Sequence, residues 1–464
     1  MEMLKKQNWG MIIALLLWCS ITLIRVFNHS PWYDEAHAWI IAQELNFVEI
    51  IRLMKTEGHT FLWFLCLMPF AKTNFLYPYS MLLLNWLFCF VAILILWLKA
   101  PFNNWVKFFI SFSFPFLGLY SVVARCYAIG IMFLFALAAM DKSKLNHPNW
   151  YALLLVLCAN TSLMAIVGAT VFGVLFLYDL IKSKKNVILP LIILTIGAAA
   201  VLTQLFGASS EIISGKMGID FFKSLIFLNL PANIITLLIS FILLLAFFIK
   251  NKIFPVFLVS SYIILFLINC VFPGFIWHHF FYYIYFIISF WLIFDKYEKI
   301  KWSKLIVILI SIISIFLTFY NTKNYQLTYG LPLNAAKAIT NFIKTDFDKS
   351  DIIIFNNLAH YSLVPYFYNS NIKFINYCSL SPVSYDTNSF FISDYCYQSP
   401  GNKKFGRKIV DEQLDKIIKD KAFIMYSRDN LVGEYHKNPL NINFSVYMYK
   451  QLYDGIYVYY IERN

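Results

Sequence analysis

The sequence predicts a polytopic α-helical membrane protein of about 11 spans, followed by a small α/β domain at its C-terminal end. Three observations predict it. Of the 464 residues, 60% are hydrophobic and only 14% charged, against roughly 45–50% and 25% in soluble domains. Apolar runs long enough to enter a bilayer recur from Gly10 to Phe319. Residues 322–464 hold no such run, and their basic and acidic side chains nearly balance. In residues 1–321 the basic side chains outnumber the acidic ones nearly two to one and lie mostly between apolar runs. This pattern excludes an ordinary soluble enzyme, a disordered chain and a small disulfide scaffold. The net charge of +13 reads as basic cytoplasmic loops, so no nucleic-acid partner is expected.

The candidate spans are 9–27, 79–98, 107–123, 125–140, 150–160, 162–180, 187–206, 225–249, 253–272, 277–294 and 302–320. A full crossing needs about 20 residues, which makes 150–160 and 162–180 a short hairpin. Residues 60–71 are apolar but too few to cross, and should lie at the interface or re-enter. His29-Ser30-Pro31 after the first span lacks the small residues of a cleavage site, so that span is expected to stay as an anchor. With Lys5 and Lys6 inside, the inner loops collect Lys99, Lys107, Lys142, Lys144, Lys182 and Lys185 among others. This lysine bias sets the register. The expectation is a multi-pass protein of the cell membrane with a cytoplasmic N-terminus. Its domains are 1–321, with a large first external loop at 28–78, and an extracytoplasmic 322–464.

In the polar domain, Asp351–Phe355, Ile372–Tyr377 and Ala422–Tyr426 read as strands, and Ala335–Phe347 and Ile409–Lys419 as helices. Ser445–Tyr449 and Ile456–Tyr460 around Asp454-Gly455 read as a hairpin. Tyr361, Tyr366, Phe367 and Tyr368 have the faces to stack on a sugar, although ordinary core packing explains them more simply. Cys378 and Cys396 would form a disulfide in an oxidising compartment. The six cysteines in apolar runs read as small core residues.

The densest chemistry lies in the first external loop. Pro31-Trp32-Tyr33-Asp34-Glu35-Ala36-His37-Ala38-Trp39 places two carboxylates where the chain leaves the bilayer. The stretch through Glu44, Phe47, Ile50, Ile51 and Met54 reads as amphipathic helices on the membrane surface. Glu57-Gly58-His59 then leads into the short apolar run. The simplest structural role for the acidic pair is Asp34 as an N-cap and Glu35 in the first helical turn. Further on, Ala124-Arg125-Cys126-Tyr127-Ala128 and Trp277-His278-His279 fall at the external ends of their spans. His29, His37, His59, His278 and His279 all map to that same side.

In this layout the chain resembles the GT-C glycosyltransferases, in the branch of the protein mannosyltransferases and the lipid A aminoarabinose transferase. The resemblance rests on the Asp34-Glu35 pair, the surface helices, the Glu57-Gly58-His59 turn and the order of spans and external domain. It implies an inverting transfer of a sugar from a polyprenyl-phosphate carrier to a lipid, glycan or protein acceptor. It also implies that an acidic residue at the position of Asp34 acts as base or orients the acceptor, with Glu35 beside it. Arg125 would bind the donor phosphate as a fork, with Tyr127, His278 and His279. His37, Glu57 and His59 would line the substrate. Asp34 and His37, three residues apart, with His59 as a third ligand, would suit a divalent cation. No glycine-rich nucleotide fingerprint exists, so a nucleotide-sugar donor is not expected. A transporter of lipid-linked sugars is the other function this composition allows.

Overall fold

The computed structural model describes residues 2–31, 33–183, 185–205, 254–271, 276–296, 308, 310–315, 340–341, 344, 352–355, 358–368, 372–376, 421–426, 444–453 and 456–463. It forms two compact units. The first takes Met1–Phe27, Asn46–Cys66 and Met81–Gly330, and the second takes Asn28–Leu45, Leu67–Ser80 and Leu331–Asn464.

The helices in chain order are α1 (Glu2–Asn28), α2 (Tyr33–Glu44), α3 (Phe47–Glu57), α4 (Leu62–Ala71), α5 (Tyr79–Lys99) and α6 (Asn104–Ser111). They continue with α7 (Tyr127–Met140), α8 (Pro148–Ala159), α9 (Leu163–Lys182), α10 (Ile188–Leu205), α11 (Phe254–Val271) and α12 (Ile276–Lys296). Among the described residues, five helices are long and apolar enough to cross a membrane: those within α1, α5, α9, α10 and α12. The chain is a helical membrane protein. Large apolar side chains such as Leu16, Ile24, Val174 and Ile196 stand exposed on these helices, as lipid-facing residues do. At 10 residues, α4 is too short to cross. The expected spans at 225–249 and 302–320 fall outside the described residues, apart from 308 and 310–315.

The span expected at 107–123 is not one helix. Helix α6 stops at Ser111, Pro115–Leu119 forms a single π-helical turn, and the chain from Tyr120 to Cys126 is irregular. Pro115 causes part of this, since it offers no N–H to the ladder and crowds the preceding turn. Side chains supply the missing partners. Asn85 Nδ2 donates to the Tyr120 carbonyl at 2.9 Å, and Arg25 Nη1 donates to that of Leu117 at 3.2 Å. Gly118 lets Arg25 approach, because a Cβ there would sit 2.8 Å from Nη1. Irregular backbone at this depth survives only when protein encloses it, and Tyr120 to Ala124 are all buried.

Two polar seams close the ends of the first unit's helices. At one, Gln204 at the end of α10 accepts from the Phe61 N–H at 2.8 Å and donates to Asn160 Oδ1 at 3.1 Å. Thr60 Oγ1 donates to the Ala159 carbonyl of α8. At the other, Lys144 bridges Asp141 at 2.7 Å and Asp179 at 2.9 Å, and Lys142 meets Asp295 at 3.3 Å. This second seam joins the C-terminal ends of α7, α9 and α12. Between the seams, the Tyr285 hydroxyl accepts from the Gly168 N–H at 3.0 Å and donates to the Met164 carbonyl, locking α12 to α9.

The second unit holds α2, the turn before α5, a 3₁₀ segment (Leu358–Phe367) and a five-stranded sheet. The strands are β1 (Ile352–Phe355), β2 (Lys373–Asn376), β3 (Lys421–Tyr426), β4 (Phe444–Tyr453) and β5 (Ile456–Arg463), in the order β2-β1-β3-β5-β4. β1 pairs in parallel with β2 and β3, while β5 runs antiparallel to both β3 and β4. The helices expected at 335–347 and 409–419 lie outside the described residues apart from 340–341 and 344, and the Cys378–Cys396 pair lies wholly outside them.

Candidate functional site

In the second unit, chemistry gathers at the start of α2. The helix begins at Tyr33, so Asp34 and Glu35 both lie inside its first turn. Asp34 is therefore not the N-cap expected from the sequence, although its charge still suits the positive end of the helix dipole. Asp34 is half-buried and Glu35 completely buried. Glu35 Oε2 meets His29 Nε2 at 2.8 Å, with both side chains enclosed. His37 is buried one turn along α2 from Asp34.

The rest of the unit holds this turn in place. Trp39 Nε1 donates to Asn74 Oδ1 at 3.0 Å, and Asn74 Nδ2 donates to the Pro365 carbonyl of the 3₁₀ segment at 3.0 Å. The Tyr77 ring lies 5.1 Å from that of Trp39 and 4.9 Å from that of Tyr366. Burial pushes the Tyr77 hydroxyl well above its usual pKa, and Tyr366 and Glu35 push it the same way. His29 Nδ1, Ser30 Oγ and Tyr77 Oη are buried and find no hydrogen-bond partner among the described residues.

In the first unit, a second cluster forms where α3 ends. Asn46 caps α3 through the N–H groups of Val48 and Glu49, and Glu49 returns a bond to the Asn46 N–H. Gly58 ends the helix at φ +68°, a conformation that favours glycine. The turn carries His59 to α7 and α12. Tyr127 Oη lies 2.8 Å from His278 Nε2 and 3.4 Å from His59 Nε2, with the phenol edge-on to both imidazoles. A phenol has one hydrogen, so Tyr127 donates to one imidazole and accepts from the other. Tyr120 Oη donates to the Trp277 carbonyl at 2.6 Å and ties the irregular segment to α12. Arg125, half-buried just before α7, acts electrostatically on His59.

His59 keeps some exposed surface, yet its Nδ1 is sealed and has no partner among the described residues. Burial holds its pKa down, to about 3; Arg125 adds to the fall and Glu57 opposes it. His59 is therefore neutral at pH 7. An unfolded chain takes up that proton near pH 6.5, so the unfolded state binds more protons below it. The stability carried by neutral His59 is full above about pH 6.5 and is lost as pH falls toward 3. Thermal inactivation of the purified full-length protein should worsen across that window, and His59→Gln should flatten the decline. A variant profile superimposable on wild type would remove His59 as the source.

Most of the expected donor-side residues thus come together: Tyr127, His278 and Arg125, with His59 added to them. Of the adjacent histidines, His278 is the one bonded to Tyr127, while His279 is half-buried on the same helix. Glu57 closes α3 and acts on His59 through its charge. Of the expected ligand set, Asp34 and His37 lie in the second unit and His59 in the first. Among the described residues, no group of three or more His, Cys, Asp or Glu side chains is placed to hold a metal ion. His59 meets Tyr127 within the first unit. The His29–Glu35 pairing gave no sequence signal beyond a histidine shortly before an acidic turn, and Tyr77 gave none. No protein-family model matches the chain, and no curated protein matches it.

Proposed function

We propose that the chain is an integral-membrane inverting glycosyltransferase. It moves a sugar from a polyprenyl-phosphate carrier to an acceptor hydroxyl or amine on the extracytoplasmic side of the cell membrane. The observation that carries this reading is the His59–Tyr127–His278 cluster with Arg125 acting on it, at the end of apolar helices. A phosphate leaving group needs fixed donors and positive charge rather than a strong acid. Arg125 supplies both, and its fork matches two phosphate oxygens. Lipid enters such a site between helices, leaving only the head group to be recognised.

Asp34 is the acceptor-side carboxylate. Orienting the attacking group is the role the resemblance implies for it, and its charge suits that role. The seam of Lys142, Lys144 and their aspartates fits a cytoplasmic end, and the histidine cluster then belongs to the external end. Helices α2, α3 and α4 are each too short to cross, which supports reading 28–78 as an external loop.

One feature favours a transporter of lipid-linked sugars: the irregular, buried backbone around Pro115–Cys126, of a kind found where transporters bind cargo. A single comparison separates the two. Cells lacking the protein should lose an envelope glycan and accumulate the polyprenyl-phosphate sugar on the external leaflet. Accumulation on the cytoplasmic leaflet would select the transporter, and an unchanged glycan and lipid profile would end both readings.

A further inference from the structure

We propose that the proton of the acceptor is taken by His29, working as a dyad with Glu35, and not by a carboxylate. The inference rests on the glycosyltransferase reading and adds a residue to its chemistry. A carboxylate oxygen can only accept a hydrogen bond, so at 2.8 Å from Glu35 Oε2 it is His29 Nε2 that carries the hydrogen. A neutral imidazole has one N–H. Nδ1 is then a bare lone pair, and it is this nitrogen that is buried with no partner among the described residues. A buried polar atom left in this state keeps its desolvation penalty uncompensated, which a bound hydroxyl or amine would recover. Two more buried polar atoms without partners lie in the same surroundings. Ser30 Oγ is the next residue along, and Tyr77 Oη is near enough to Glu35 to feel its charge.

A carboxylate behind an imidazole whose far nitrogen is left without a partner is the arrangement that activates hydroxyl nucleophiles on unrelated folds. The step balances as follows. The acceptor oxygen forms a bond to the anomeric carbon as its proton passes to His29 Nδ1. The bond from that carbon to the phosphate oxygen breaks, and polyprenyl phosphate leaves with the electron pair. Glu35 stabilises the imidazolium, which returns its proton to water. Glu35 acts through His29 and is a positioning residue.

The test uses the full-length protein in lipid nanodiscs, with synthetic polyprenyl-phosphate mannose and glucose as donors and water as acceptor. Sugar release is the readout. His29→Gly should slow release by about 100-fold or more, and added imidazole should restore it by at least about tenfold by replacing the missing base. Glu35→Gln should fall by less, with no rescue by imidazole. An inserted, heat-stable His29→Gly protein that stays near wild-type rate, or that imidazole leaves inactive, overturns the proposal. A second measurement needs no donor. With ¹⁵N-labelled histidines, the signal that disappears in His29→Gln should show a hydrogen on Nε2 and none on Nδ1, and Glu35→Gln should mix the tautomers. A wild-type His29 carrying its hydrogen on Nδ1 overturns the dyad by itself. If wild type releases sugar from neither donor, the glycosyltransferase reading falls, and the tautomer signal still decides the dyad.

Discussion

Replacing Asp34 with Asn should lower sugar transfer by about 100- to 1,000-fold, the range seen when one preorganised electrostatic group is removed from a reacting centre. That is roughly 2.7–4 kcal/mol of barrier. Asn keeps the size and much of the hydrogen bonding of Asp but not its charge. If Asp34 served only the helix dipole from the first turn of α2, the loss would be about 0.3–1 kcal/mol of stability with transfer intact. One substitution therefore gives opposite results for the two roles. The measurement is transfer rate beside insertion level and thermal stability. Normal transfer by Asp34→Asn would leave Asp34 a helix-end charge and nothing more.

Arg125→Ala should cut donor use by a comparable factor, and Arg125→Lys should fall between it and wild type. Lysine keeps the charge but loses the planar fork that grips two phosphate oxygens. The loss should appear first as a weaker response to donor concentration. Retention of polyprenyl phosphate on nanodisc-embedded protein provides a check that needs no sugar or acceptor. Equal retention by wild type and both variants would make Arg125 a side chain that merely snorkels toward the interface.

What the sequence reveals follows from which physical signals are local. Long apolar runs announce α1, α5, α9, α10 and α12, because crossing a bilayer needs only length and apolarity. The same averaging hides the break at Pro115, since a hydropathy window does not register one missing N–H. Strands β1, β3 and β5 are visible as short apolar runs. Their order, with β5 between β3 and β4, is not, because pairing depends on contacts far apart in sequence.

In the two clusters, one in each unit, residue types are legible and partnerships are not. Asp34, Glu35, His59, Tyr127 and His278 stand out as polar groups bordering apolar runs. Nothing local joins Tyr127 to His59 across 68 residues or to His278 across 151. Glu35 is the instructive case. Its position beside Asp34 suggests a second catalytic acid, and nothing local in the sequence announces its burial against His29.

The segment from Ser111 to Cys126 also constrains the order of assembly. It is apolar enough to leave the translocon for lipid, yet its backbone cannot satisfy itself there. Its carbonyls at Leu117 and Tyr120 rely on Arg25 and Asn85, which belong to helices made earlier. The ribosome thus delivers the partners before the part that needs them. Vectorial synthesis from the N-terminus suits this architecture, and a permuted chain that made α7 before α1 would have to carry those carbonyls bare through the membrane.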